Sequence, residues 1–243
     1  MAALFNVLLM ALFPVCAAII GATIAAFRPP GPTLRSYIQH LAGGVVFSVV
    51  AVELLPDIIH QHAMLEVAIG FTLGVVVMLG LKEFSHKMES KAESEGEGAG
   101  LPMGLLAGVG VDILLDGFLI GVSFSAGAKQ GQLLTLALTL ELLSLGLAVA
   151  TALGKTEKRK GRIILTSALL FLTLMVGAGL GITLIQYMPF ALLEVVLSFG
   201  LAALLYLVTE ELLVEAHKEP ETPLATGMFF AGFLVFLMLG MME

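Results

Sequence analysis

The stretch from Pro102 to Gly127 reads PMGLLAGVGVDILLDGFLIGVSFSAG. A helix over it, rising about 1.5 Å per residue, is long enough to cross a hydrocarbon core of about 30 Å. Its only charges are Asp112 and Asp116, one helical turn apart and on one face. A carboxylate at the bilayer centre costs about 2.5–3.5 kcal/mol on insertion scales. Two on one face need a partner, so the stretch predicts both a transmembrane helix and a polar site inside it.

The rest of the chain follows the same pattern. Of 243 residues, 58% are hydrophobic and 13% charged, against about 25% charged in a soluble domain. Mean hydropathy is +1.03. The apolar residues come in long runs, at roughly 2–27, 36–57, 64–84, 102–127, 131–154, 162–186, 190–214 and 223–242. Residues 1–243 therefore read as a single all-α polytopic membrane domain with eight transmembrane helices. Turn chemistry separates the runs: Arg28-Pro29-Pro30-Gly31-Pro32, Pro56-Asp57, Gly127 to Gly131, and Pro220 with Pro223. The first run lacks a basic leader and is too long for a cleavable signal peptide. One cysteine, Cys16, excludes an intrachain disulfide framework and a CxxC zinc site. The chain carries no basic stripe and no tryptophan, which argues against nucleic acid as a partner. The expected surroundings are the lipid bilayer.

Loop charges predict orientation. With the N-terminus outside, every Lys and Arg except Lys129 falls at the cytoplasmic loops and helix ends. That asymmetry follows the positive-inside rule and favours an even number of helices, with both termini extracytoplasmic. The expected location is the inner or plasma membrane. The longest loop, about 85–100, is SHKMESKAESEGEGAG, which reads as a polar, solvated cytoplasmic linker, with cation attraction by its glutamates the alternative.

A third carboxylate lies at matching depth. Asp112 is about 15 Å from the inner start of its helix, and Glu141 about 15 Å from the outer start of the next. Ser144 shares the face of Glu141 and can add a hydroxyl. Acids gathered in a dry place need protons or a cation to balance them. Mn²⁺, Mg²⁺ and Ca²⁺ suit oxygen ligands, and Fe²⁺ or Zn²⁺ can be accepted with added water. A proton relay is the competing use. Glu210, Glu211, Glu215 and His217, at the cytoplasmic end of the seventh run, form a candidate exit-side group or, equally, ordinary interfacial charges. Glu53 and Asp57, at the outer end of the second, form a candidate intake-side group. His40 reads as a capping or packing histidine. Glycine pairs at Gly104/Gly108 and Gly117/Gly121 suit close helix approach, and Gly117 would also open its helix to an ion. Gly177-Ala178-Gly179-Leu180-Gly181 gives the sixth run a similar slender face.

Glu53-Leu54-Leu55-Pro56-Asp57 and Glu211-Leu212-Leu213-Val214-Glu215 echo one another on helices expected to run in opposite directions. Such an echo is what an inverted repeat leaves, and inverted repeats are common in transporters.

Asp112-Ile113-Leu114-Leu115-Asp116-Gly117 resembles the His-Asn-x-x-Asp/Glu-Gly motif in the fourth helix of the ZIP (Zrt/Irt-like) divalent metal transporters. Glu141 to Ala148 resembles the family's fifth-helix motif, and His40 to Gly44 through Glu53 to Pro56 its second helix. The resemblance implies a 3+2+3 inverted-repeat arrangement, extracytoplasmic termini and a variable loop between helices three and four. It also implies a homodimer in which helices one, four, five and six move against two, three, seven and eight. The glycine faces of helices four and six would then slide or pack. The chain departs from the pattern where Asp112 and Glu141 stand at histidine positions and Ile113, Leu142 and Leu145 replace further ligands. One metal position is implied, made by Asp112, Asp116 and Glu141. The ion is substrate, with no resident cofactor, drawn from Zn, Mn, Fe, Mg, Ca or Cd; losing imidazole favours oxygen-loving ions. The alternatives are a proton-linked carrier of a non-metal solute and a ZIP-like protein that does not transport. An enzyme is not expected: intramembrane aspartyl proteases place their two aspartates on separate helices.

Overall fold

The computed structural model describes residues 2–94, 103–220 and 222–242. Eight helices in it are long and apolar enough to cross a membrane. We label them α1 (Ala2–Phe27), α2 (Pro32–Gln61), α3 (Met64–Ser94), α4 (Met103–Ala126), α5 (Ala128–Leu153), α6 (Lys160–Ile185), α7 (Phe190–Ala216) and α8 (Pro223–Met241). The protein is an all-α, multi-pass membrane protein.

Helix boundaries follow local chemistry. Thr222 caps α8, its Oγ1 accepting from the Ala225 N–H at 3.1 Å, and Pro223 fills the first turn. Gly127 alone joins α4 to α5. In α6 the ladder is interrupted at Leu172, where the Thr173 hydroxyl donates to the Leu170 carbonyl at 2.7 Å. That carbonyl would otherwise serve the next turn of backbone.

The ends of α2 and α3 differ from those read in the sequence. The second helix does not stop at Pro56-Asp57. It passes through Pro56 to Gln61, because a π-helical turn at Val50–Leu54 precedes the proline and absorbs the break in the hydrogen-bond ladder. α7 carries a matching π-helical stretch at Leu207–Leu212. α3 runs on as helix to Ser94, so the first part of the expected 85–100 linker, including Glu89 and Glu93, is helical. Glu95, Glu97 and Pro102 lie outside the described residues.

Packing is organised by glycines. A Cβ on Gly117 would lie 2.1 Å from the Leu174 carbonyl oxygen, and one on Gly177 would lie 2.1 Å from that of Leu114. α4 and α6 therefore touch backbone to backbone. Gly21 and Gly146 do the same for α1 and α5, Gly44 and Gly232 for α2 and α8, and Gly70 with Gly74 for α3 against α7. Gly117 is thus a packing residue, and α4 runs through it as unbroken helix. These seams, with the contacts of α6 on α1, make one bundle of α1, α4, α5 and α6. The other bundle is α2, α3, α7 and α8. The two meet chiefly where α2 lies on α5 and α3 on α4.

Overpacking such a seam costs about 1–3 kcal/mol or more. Gly117→Val should lower the melting temperature in detergent, while Gly227→Ala, where a Cβ meets open space, should leave it unchanged. Size-exclusion thermostability profiles of the two variants test this.

Candidate functional site

A cavity of about 480 Å³ lies between the two bundles. Its mouth carries Arg35, Lys82, Glu210, Glu215 and Lys218, at the end of the molecule that holds most of the basic residues. Its depth is lined by Asp112, Glu141, Ser144 and Glu211. The walls are otherwise largely apolar, including Met78, Leu105, Val109 and Leu145.

Helix geometry explains who reaches the cavity. α4 and α5 are antiparallel, joined by one residue, so Asp112 and Glu141 meet at similar depth. Ser144 follows Glu141 by three residues and shares its face. Glu211 lies within the π-helical stretch of α7. A π turn widens the helix and re-aims its side chains, a distortion frequent at functional sites. Asp116 is 4% exposed and does not line the cavity, which stops a turn short of it. The following residue, Gly117, is already sealed against α6. Asp116 Oδ2 and Glu141 Oε2 are buried without a hydrogen-bond partner. Among the described residues, no three acidic, histidine or cysteine side chains stand close enough together to enclose an ion.

The exit-side group divides. Glu211 faces the cavity, but Glu215 receives Arg35 Nη2 at 2.7 Å and also pairs with Lys218. Glu210 receives Lys82 Nζ at 2.9 Å. The His217 ring stands 5.2 Å from that of His40, centroid to centroid. His40 is buried, and its Nδ1 lies 2.9 Å from the Ser36 carbonyl oxygen, so it packs as expected. Ser36 in turn donates to the Ala216 carbonyl at 2.9 Å. Apart from the Glu215–Lys218 pair, each of these contacts at the end of α7 goes to α2 or α3, within one bundle.

Glu53 and Asp57 lie at the opposite end, away from the cavity. Glu53 is buried, with Lys129 Nζ 3.6 Å from its Oε1. Asp57 Oδ2 accepts from Gln130 Nε2 at 3.3 Å.

Two features escaped the sequence reading. Glu211, read as an exit-side residue, lines the same cavity as Asp112 and Glu141, which its position near a helix end concealed. Glu194 is 1% exposed, with its Oε2 unpartnered, one turn from the equally buried Ser198. Its signal was present, because it too is a carboxylate within an apolar run. No protein-family model matches the chain, and no curated protein matches it.

If the cavity holds water, a cysteine at Leu145 in a Cys16→Ser background should react with a water-soluble maleimide. A cysteine at Leu136, on the apolar surface of the same helix, should not. Labelling in detergent-free vesicles measures the difference.

Proposed function

We propose that this chain is a divalent-cation carrier of ZIP type, not an enzyme, moving its substrate ion past Asp112, Asp116, Glu141 and Glu211. The observation that carries the reading is the cavity between two glycine-sealed bundles, reaching from a charged mouth to carboxylates deep in the apolar span. Its chemistry suits a hard cation. Carboxylate and hydroxyl oxygens line its depth, and water would complete the shell around an ion. Incomplete coordination by protein keeps binding weak enough for release. The basic end is then the cytoplasmic one, both termini are outside, and the cavity is an inward-facing pathway.

The bundle partition supports a carrier that rocks or slides. It is the division of helices that the ZIP resemblance implies. The glycine faces of α4 and α6 pack against each other inside one bundle, so movement would occur between bundles. The inverted repeat draws support from pairing: α1 with α5 mirrors α6 with α4, and α2 with α8 mirrors α7 with α3. Both echo segments also overlap π-helical turns, ending at Leu54 and Leu212. A homodimer remains part of the proposal through the resemblance alone.

Mn²⁺ and Zn²⁺ uptake into proteoliposomes tests the reading. Wild-type protein should take up at least one of them, Mn²⁺ in preference, and Asp112→Asn or Glu141→Gln should reduce uptake to the level of empty liposomes. Glu157→Gln, in the loop between α5 and α6, should leave it intact. Unchanged uptake in both site variants would overturn the metal pathway. A proton flux with no metal requirement, lost in the same variants, would assign these acids to a proton-linked carrier.

A further inference from the structure

The polar contacts at the two ends of the molecule differ in kind. At the basic end, Arg35–Glu215 and Lys82–Glu210 both tie α7 to helices of its own bundle. At the other end the contacts cross from one bundle to the other. Lys129 and Gln130 sit in the first turn of α5, at the tip formed by the single-residue joint with α4. Lys129 Nζ donates to the Gly240 carbonyl of α8 at 2.9 Å and lies 3.6 Å from Glu53 Oε1 of α2. Gln130 donates to Asp57 of α2. We infer that Lys129 and Gln130 form a strap that ties the two bundles together at this end, holding the central carboxylates closed to that side while the cavity reaches them from the other.

The fit of the strap is specific. Glu53 lies in the π-helical turn of α2, and its side chain is buried at the base of α8. A Cβ on Gly240 would lie 3.1 Å from Glu53 Oε1, so the glycine leaves room for the carboxylate and for the ammonium that reaches it. One lysine thus meets two helices of the opposite bundle at once. The partly buried ammonium is shielded better than a surface pair, which is ordinarily worth about 0–1 kcal/mol. Lys129 is also the one Lys or Arg of the chain expected outside, where the positive-inside pattern gives it no role. Passage of a solute from that side requires α5 to part from α2 and α8, which breaks all three contacts together.

The inference rests on the two-bundle carrier proposed above, and its test does not depend on metal flux. In a Cys16→Ser background, Leu145→Cys reports access to the cavity. Wild-type strap residues should confine labelling by a membrane-impermeant maleimide to the basic end of oriented vesicles. Lys129→Gln should raise labelling from the opposite side several-fold, as should Glu53→Gln. The double variant should add little to Lys129→Gln, since both variants remove the Lys129–Glu53 pair. Lys129→Arg should restore the wild-type pattern, and Gln130→Ala should give a smaller rise. Variants that keep labelling from the basic end, and so remain folded, yet gain none from the other side would overturn the strap. A strap effect without cation uptake in liposomes would leave the inference standing and remove the metal reading alone.

Discussion

Lipid offers apolar helices no hydrophobic reward for meeting one another, so their association depends on how closely their backbones approach. In this protein that approach is made by glycines. Gly117 and Gly177 admit each other's helices to the point where a single Cβ would collide with a carbonyl oxygen. The same device joins α1 to α5, α2 to α8 and α3 to α7. Each seam gathers many small dispersion contacts that bulkier faces would hold apart. The consequence is directional. Helices joined by a glycine seam fall in the same bundle, and the faces between bundles meet less intimately.

The polar groups occupy the gap those seams leave. A carboxylate inside a seam would have no room and no water. At the junction between bundles it has room, and Asp112, Glu141, Ser144 and Glu211 line a cavity there. The π-helical turns in α2 and α7 fit the same logic. They lie beside Pro56 and Glu211, where a regular helix would lose a hydrogen bond or point a side chain elsewhere. The asymmetry between the two ends then follows from where charged contacts fall, inside one bundle at the basic end and across the divide at the other.

Most of the architecture was legible because membrane helices announce themselves by length and hydropathy. Asp112 and Glu141 stood out in the sequence because charges inside apolar runs are rare and costly, and with Ser144 they line the cavity. Asp116 shares a face with Asp112 yet does not line the cavity, since helical spacing says nothing of where a cavity ends. Glu210 and Glu215 looked like cation ligands, and only contact with Lys82 and Arg35 showed their charges already engaged. Glu194 was passed over because no second acid accompanies it at helical spacing.

The sequence by itself determined eight spans and the matching depth of Asp112 and Glu141, because these depend on hydropathy and a fixed rise per residue. Only the tertiary structure decided which glycines seal which helices, that the second helix continues past its proline, and that Lys129 reaches across to Glu53. Those outcomes depend on which faces meet and at what distance, and local pattern along one chain carries no record of the rotation or tilt of a neighbouring helix.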